Sequence, residues 1–421
     1  MTANTALLAP LTTGDPSPSR ASLHGLDAVN FLLAGLLAGF GPYVAAYLAG
    51  QNWTQENIGF VLTASGLAGL LTQVPGGELL DLVRSKRALV ALGVVILAIS
   101  VLIIAFQPSF PLVFAGLALE GSTGGFLGPA IAAISLGLVG HSALAERLGR
   151  NQRFASTGGL VTAGLMGLIG YVLGYRAIFL IAAALAPPLL IALARIRAVD
   201  IHFGRSCGKP DHHGSQQPPR DRRRSFWNNH ALLTFAACLF LFQLANASVL
   251  PLAGEAMAYH EQRHASLSLS ALIVAPQIIV VLIAPWAGRQ AQSRGRRPLL
   301  LIGFGALPVR ALLFAWITNP LLLAGVQVLD GISGATLGVL TALVVADLTN
   351  GTGRFNLAQG LVGTASGLGA SLSTTASGVL AGSLGRAAGF LGIAAVALLA
   401  VMMVGLLMPE TKPLRGPPPH G

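Results

Sequence analysis

Apolar stretches of about twenty residues recur along the chain, and short polar segments separate them. A helix needs about twenty residues to cross the hydrocarbon core of a bilayer, where it satisfies its own backbone hydrogen bonds. The pattern therefore predicts an all-α membrane protein with twelve membrane-spanning helices. The predicted spans are 26–49, 57–80, 87–106, 111–139, 154–174, 176–197, 229–257, 266–290, 298–317, 320–347, 355–383 and 387–408.

The longest polar segment covers residues 198–228 and contains "GKPDHHGSQQPPRDRRR", which is rich in Pro, Gly, His and Arg. Such a composition is typical of a flexible linker. The linker divides the chain into two bundles of six helices, which are flanked by two polar tails. The predicted organisation is a tail at 1–24, a bundle at 25–197, the linker at 198–228, a second bundle at 229–408 and a tail at 409–421.

The composition supports a membrane location, because 53% of the residues are hydrophobic and only 10% are charged. Soluble domains carry about 25% charged residues. Of the 26 lysines and arginines, 22 fall on one side of the membrane if both termini lie in the cytoplasm. The positive-inside rule therefore predicts that both termini lie in the cytoplasm. The expected location is the cell membrane of a bacterium, that is, its inner membrane. Because the basic residues line the loops of one membrane face, we expect no nucleic-acid partner.

The two halves of the sequence repeat each other. The segment "LEGSTGGFLG" (119–128) matches "LDGISGATLG" (329–338) at an offset of 210, so that Glu120 has a counterpart in Asp330. Loops with a basic cluster follow the second and eighth predicted helices, and "AERLGRNQRF" (145–154) matches "ADLTNGTGRF" (346–355) at an offset of 201. Three matches in the same order indicate a duplicated six-helix unit, as in transporters that bind substrate between two halves.

The loop after the second predicted helix resembles the G-x-x-x-D-R-x-G-R-R signature of the major facilitator superfamily. It has Gly77, Asp81, Lys86 and Arg87 in place, whereas Leu82 replaces the first Arg of the motif and Ser85 replaces the second. The resemblance covers about 25–408 and implies two pseudo-symmetric six-helix bundles, alternating access and a working monomer. It also implies that this loop latches the cytoplasmic ends of the two halves.

Further charged residues near the cytoplasmic ends are predicted to complete this gate. We expect charge latches between Glu146 and Arg153 and between Asp347 and Arg354 that break when the cavity opens inward. The full predicted gate comprises Gly77, Asp81, Lys86, Arg87, Glu146, Arg153, Gly288, Arg296, Arg297, Asp347 and Arg354.

Three charged residues lie inside predicted spans, where an ionisable group is costly and therefore suggests a function. Arg310 and Asp330 fall at similar depths on consecutive helices, which predicts an ion pair between them. Glu120 has no cation at the matching position of its own half, so it is the predicted proton-coupling site. The alternatives are a purely structural Arg310–Asp330 pair and a permanently protonated Glu120 that donates to a backbone carbonyl.

In the fold that the resemblance implies, the first and seventh helices border a central cavity. Asn30, Tyr43, Gln243 and Asn246 are the candidate cavity residues on these helices. For each of them, hydrogen bonding between helices is an equally suitable role.

The sequence predicts a secondary transporter of a small-molecule substrate rather than an enzyme. It lacks the nucleotide-binding motif G-x-x-x-x-G-K-[ST], and no cofactor is expected. His202, Cys207, His212 and His213 match no metal-ligand spacing, so no metal site is predicted. Protons are the expected driver, and efflux is slightly favoured because the positions expected to border the cavity are mostly apolar, with few groups of the kind that hold a sugar. The alternatives are proton symport of a sugar, nucleoside or organic acid, and a non-transporting membrane sensor.

Overall fold

The computed structural model describes residues 18–38, 42–209, 229–250, 252, 265–317 and 319–412. These residues are helical apart from short connections, and no strand occurs among them. Parts of the predicted tails (1–17 and 413–421) and most of the linker, including His212 and His213, lie outside the described residues.

Fifteen described helices follow one another along the chain. They are α1 (Arg20–Ala38), α2 (Pro42–Gly50), α3 (Gln55–Leu82), α4 (Lys86–Phe106), α5 (Phe110–Leu173), α6 (Tyr175–Ala184), α7 (Ala186–Ala194), α8 (Phe203–Ser206), α9 (His230–Asn246), α10 (Ala265–Arg294), α11 (Arg297–Trp316), α12 (Pro320–Val326), α13 (Val328–Leu348), α14 (Phe355–Leu384) and α15 (Arg386–Leu407).

The twelve predicted spans map onto these helices. Three spans are divided in two, namely 26–49 into α1 and α2, 176–197 into α6 and α7, and 320–347 into α12 and α13. The spans 111–139 and 154–174 lie in α5, which is interrupted at Gly140 by a backbone with φ +67°. We call the parts before and after this glycine α5a and α5b. By length and composition, seven stretches of the described chain are apolar enough to cross a membrane.

Two hydrophobic clusters form the interior. One is built from α1 to α7, with Leu97 and Phe179 among its fully buried side chains. The other is built mainly from α9 to α15 and also takes in residues from α5, including Ala133 and Leu144. The long helix α5 therefore packs against both halves, and its inner face lies at their interface.

Both described chain ends lie at one end of the bundle, together with the basic loops 83–85 and 294–296 and the segment 195–209. The hydroxyl of Ser19 donates to Asp200 Oδ2 at 2.5 Å, and Lys412 Nζ donates to the Ser293 carbonyl at 2.5 Å. We refer to this end as the basic end. The structure thus places the described ends on the same side as these loops.

Glycines allow the two halves to touch closely near the basic end. A Cβ on Gly77 of α3 would lie 2.2 Å from the carbonyl oxygen of Asn356 on α14. A Cβ on Gly288 of α10 would lie 2.4 Å from the carbonyl oxygen of Ala145 on α5b. Both distances are too short for any side chain, so each backbone contact requires glycine.

These two contacts are related by a shift of 211 residues, which carries Gly77 to Gly288 and Ala145 to Asn356. The sequence match at an offset of 201 instead pairs Ala145 with Ala346, so it does not reflect the structural equivalence and is wrong here. The matching Arg-Phe dipeptides occupy different places in the two halves. One lies inside the continuous helix α5b, and the other straddles the start of α14.

Candidate functional site: a central polar cavity and its gate

A cavity of about 640 Å³ lies between the two halves and is lined by residues from α1, α3, α5, α9, α10, α13 and α14. Its most frequent polar group is the carboxamide. The carboxamide residues are Asn30, Gln73, Asn151, Gln152, Gln243, Asn246, Gln277 and Gln359, and hydroxyls come from Ser333, Thr341 and Ser366. Asp330 is the one ionisable residue among the described lining residues.

Three of the four predicted cavity residues, Asn30, Gln243 and Asn246, line this cavity. Tyr43 does not belong to its described lining, and its hydroxyl donates to the carbonyl of Ala163 on α5b at 3.3 Å. Asn30 lies on α1, whereas Tyr43 lies on α2. The prediction for Tyr43 therefore does not hold in this structure.

The polar lining also corrects the expectation that few groups could hold a hydroxylated solute. Sequence reasoning missed Gln73, Asn151, Gln152, Gln277 and Gln359, which all line the cavity. Gln277 is a single polar residue in an apolar run, whereas Asn151 and Gln152 lie in a polar segment between Arg150 and Arg153. A single amide does not reveal whether it faces a cavity or a neighbouring helix, because that depends on how the two halves pack.

Asp330 and Arg310 form the ion pair that the sequence predicted. Arg310 Nη1 on α11 donates to Asp330 Oδ1 on α13, and Arg310 Nη2 donates to Asn246 Oδ1 on α9 at 2.5 Å. The arginine side chain is only 2% exposed, whereas that of Asp330 is 25% exposed. The carboxylate therefore faces the cavity with its neutralising cation buried behind it.

Glu120 has a different environment from its counterpart. Ser65 on α3 donates to Glu120 Oε2 at 2.6 Å, and no salt bridge to Glu120 occurs among the described residues. A Cβ on the next residue, Gly121, would lie 1.9 Å from the Ser65 carbonyl oxygen, so α3 and α5a are in backbone contact. Glu120 is outside the described cavity lining, although Gly124, one helical turn further along α5a, belongs to it.

At the basic end, Asp81 links the two halves. Its carboxylate accepts hydrogen bonds from the backbone N–H groups of Asn356 and Leu357 at 3.2 and 2.9 Å, and from Asn356 Nδ2 at 2.7 Å. Asp81 therefore caps the first turn of α14, where a negative charge is favourable. The matching position on α10 is Gln292, whose amide donates to the carbonyl of Ser142 in the other half.

Lys86 and Arg87, the other gate candidates of this loop, do not contact the second half in the same way. Lys86 is buried, and its Nζ donates to the carbonyls of Leu80 and Val83 and lies 4.8 Å from the centre of the Phe203 ring. Arg87 has a buried Nε without a hydrogen-bond partner. Lys86 thus holds its own loop against the start of the linker.

Residues 201–209, which we call the clasp, bridge the two halves at the basic end. His202 N–H donates to the Gly137 carbonyl on α5a at 3.1 Å. The carbonyls of Cys207 and Gly208 accept from the N–H groups of Phe355 and Gly351 at 3.2 and 2.7 Å. The first part of the predicted flexible linker is therefore an ordered contact element, in which burial raises the pKa of the Cys207 thiol.

Asp347 has gate partners that the sequence did not assign to it. Arg296 Nε donates to Asp347 Oδ2 at 2.8 Å, and His141 Nε2 from the first half lies 3.3 Å from Asp347 Oδ1. Glu410 accepts from the N–H groups of Arg296 and Arg297 at 2.8 and 3.1 Å. Although burial opposes it, these and other backbone donors lower the pKa of Glu410.

The predicted latch between Glu146 and Arg153 is wrong, because no salt bridge joins these two exposed residues. Both lie on α5b and face outward, seven residues apart. The neighbouring arginines on that helix are the ones engaged: Arg147 Nη2 and Arg150 Nη2 donate to Asp27 on α1 at 2.5 and 2.6 Å. This cluster stabilises the first half and does not connect it to the second.

Two helical halves surround a polar cavity and contact each other at the basic end. Residues 26–307 and 235–421 match the Major Facilitator Superfamily, and the chain belongs to this superfamily. It is 37% identical over 396 residues to an uncharacterised MFS-type transporter of Mycobacterium tuberculosis, with 92% of this chain and 93% of that protein covered. The same identity is found for the corresponding protein of a second strain.

A shorter similarity, 31% identity over 138 residues, relates a third of the chain to the class B tetracycline resistance protein of Escherichia coli. Among solved structures, the proton:xylose symporter XylE has a TM-score of 0.70 over 93% of this chain and 97% of its own. FucP in its outward conformation has a TM-score of 0.68, with 91% and 96% covered. Both are about 15% identical in sequence, so they establish the shared fold alone.

Proposed function

We propose that this protein is a proton-coupled secondary transporter that moves a small, uncharged, hydroxyl-bearing solute through the central cavity by alternating access. The observation that carries this proposal is the set of eight carboxamides that line the cavity. Each carboxamide has both a donor and an acceptor, and a hydroxyl group can use either. A volume of about 640 Å³ is in the usual range for a small-molecule site.

The charge of the cavity supports an uncharged solute. Arg310, which neutralises Asp330, is almost completely buried, and no lysine or arginine belongs to the described lining. A carboxylate or phosphate on the solute would therefore have no cation to pair with. Buried charges without a partner are costly, so the cavity disfavours anionic solutes.

Glu120 is the proposed proton site. A carboxylate in the membrane costs about 2.5–3.5 kcal/mol on insertion scales, and here one serine hydroxyl and no described cation stabilises it. Its protonation removes that cost, so the residue is suited to bind and release a proton during the cycle. The Arg310–Asp330 pair, by contrast, is proposed to remain charged and to act as a gate between α11 and α13.

The gate at the basic end is proposed to face the cytoplasm, with both termini on that side of the bacterial inner membrane and with a monomer as the working unit. The excess of lysine and arginine in these loops supports this orientation. Opening to the cytoplasm would break the Asp81 contacts to α14 and the clasp contacts to residues 351–356. Either half can then move relative to the other.

A second candidate is proton-driven efflux of a less polar compound. Its support is the partial similarity to the tetracycline resistance protein. The amide-rich cavity no longer favours efflux over uptake, so the direction must be measured. Uptake by symport and efflux by antiport predict opposite proton movements across the membrane.

The test uses purified full-length protein in vesicles that contain a pH-sensitive dye. D-glucose, D-xylose, myo-inositol and uridine are added separately, and proton movement and solute uptake are recorded together. The proposal expects at least one of these compounds to move with protons, in the same direction for symport or in the opposite direction for antiport. Specific binding without any solute flux would indicate a non-transporting sensor and would contradict the proposal.

A further inference from the structure

Asn246 connects the cavity to the buried arginine behind it. Asn246 and Asp330 both line the cavity, whereas Arg310 is absent from its described lining. The guanidinium donates Nη1 to Asp330 and Nη2 to Asn246, and its Nε is buried without a partner. The two anchors of this arginine are therefore two side chains that a solute in the cavity can reach.

The remaining hydrogen bond of Asn246 is weak. Asn246 Nδ2 donates to Gln243 Oε1 on the same helix at 3.4 Å, which is beyond the usual range for an N–H···O bond. A solute hydroxyl that reaches α9 can replace this contact at little cost. By contrast, the bond from Arg310 Nη2 to Asn246 Oδ1 is short and charge-assisted, so it resists replacement.

The first half has no equivalent arrangement. A shift of 210 residues carries Arg310 to Ser100, and a shift of 209 or 210 residues carries Asn246 to Leu37 or Leu36, neither of which has a polar side chain. Leu36 is fully buried, and the Ser100 hydroxyl donates to the carbonyl of Ile96 in its own helix. The asparagine and the arginine therefore form a network that is present in one half, at the helix that meets the cavity.

We propose that Asn246 is a positioning residue that couples solute binding on α9 to the Arg310–Asp330 ion pair. A solute that engages the amide of Asn246 moves the carbonyl that holds Arg310 Nη2, so occupancy of the cavity changes how Arg310 is shared between α9 and α13. This inference rests on the proposed transport function, and its tests are designed to fail separately from it.

The first test needs no solute and compares the thermal stability of purified full-length variants. Asp330→Asn removes the charged partner of Arg310 and is expected to lower the midpoint of unfolding by about 3 °C or more. Adding Asn246→Asp places a carboxylate against Nη2 and is expected to restore at least half of that loss. Gln243→Glu with Asp330→Asn is the matched control, because Gln243 lies one turn away and contacts Asn246 instead of the arginine.

Equal midpoints for N246D/D330N and D330N would overturn the inference, as would equal rescue by Q243E.

The second test measures exchange and proton-driven accumulation of radiolabelled D-glucose, D-xylose and uridine in vesicles, each assayed separately. Asn246→Ala is expected to reduce accumulation about tenfold, because it removes a hydrogen bond to a charged group. Exchange is expected to fall much less.

Gln243→Ala is expected to reduce exchange and accumulation in equal proportion, through weaker solute binding alone. An equal reduction of both activities in Asn246→Ala would mean that this residue only binds solute, and would contradict the coupling role. Absence of transport for all three compounds would instead contradict the proposed solute class, and the thermal comparison would still decide whether Asn246 anchors Arg310.

Discussion

The two halves of the molecule share one backbone frame but differ in the chemistry at equivalent positions. Asp330 in the second half faces the cavity and is paired with a buried arginine. Glu120, its counterpart in the first half, lies outside the described lining and is held by one serine hydroxyl. The duplicated unit therefore carries two acids, of which one is paired with a buried arginine and the other is the proposed proton site.

The same contrast occurs at the basic end. Asp81 accepts three hydrogen bonds from the start of α14, whereas Gln292 at the matching position donates one to a carbonyl of the first half. The glycines that bring the backbones together, Gly77 and Gly288, are the same in both halves. Close packing is present in both copies, whereas the charged groups differ, and this difference is what the proposed coupling requires.

The largest effect is expected for Arg310→Gln, because it leaves Asp330 without a charged partner. Breaking a buried ion pair by removing one member costs about 3–5 kcal/mol, so unfolding in detergent should occur at a clearly lower temperature and transport should be lost. The double variant R310Q/D330N should recover much of the stability without recovering transport. If R310Q were as stable as the wild type, the pair would not stabilise the second half.

A large effect on the gate is expected for Gly77→Ala and Gly288→Ala, because each added methyl group would meet a backbone carbonyl oxygen. The reporter is Cys207, which is fully buried, in a C238A background that leaves no other cysteine. Either variant should speed maleimide labelling of Cys207 about tenfold. This corresponds to a decrease of about 1.4 kcal/mol in the free energy of gate opening.

Gly66→Ala is the matched control for these gate variants, because a Cβ on this α3 glycine would meet no atom within 4 Å. Its labelling rate should equal that of the background. A faster rate in G66A, or an unchanged rate in both G77A and G288A, would show that the glycine contacts do not hold the gate closed.

A smaller effect is expected when Asp81→Asn is compared with Gln292→Ala. Asparagine can still cap the helix, but loss of the negative charge at the start of α14 costs about 0.3–1 kcal/mol, so D81N should label at Cys207 up to several times faster than the background. Gln292→Ala removes one neutral hydrogen bond and should change the rate less. Equal rates for the two variants would mean that the charge of Asp81 adds nothing to the contact between the halves.

The smallest effect is expected for Ser65→Ala, which removes the hydrogen bond to Glu120 but keeps its carboxyl group. A hydrogen bond to a charged group contributes about 1.5–3 kcal/mol, and the half-exposed location reduces this value. Proton-driven transport in vesicles should fall by less than about fivefold, with solute exchange unchanged. A complete loss of proton coupling in S65A would assign the proton to the hydrogen-bonded pair of Ser65 and Glu120 rather than to Glu120 alone.

The sequence was sufficient to predict the helices and the pairing of Arg310 with Asp330. Both the length of a helix and the depth of a charged residue within it follow directly from residue positions. It also identified Asp81 through a local motif. The partners of Asp81 on α14 could not be predicted, since they lie more than 270 residues away and depend on how the halves pack.

The cavity lining was the part that sequence reasoning predicted least well. Gln73 and Gln359 are isolated polar residues in apolar helices, and the orientation of each depends on contacts across the interface. The repeat at an offset of 201 was misleading for a related reason. Identical short strings can arise at a helix start and within a helix, and only contacts such as those of Gly288 with Ala145 reveal the true equivalence.

The central claim is that Glu120 carries the coupling proton, and the proton-to-solute ratio in vesicles tests it most directly. In Glu120→Gln, solute exchange should continue while solute-linked proton movement falls to the background of empty vesicles. Folding should be unaffected, because the amide is similar in shape and can still accept the hydrogen bond from Ser65. A wild-type proton-to-solute ratio in this variant would contradict the account.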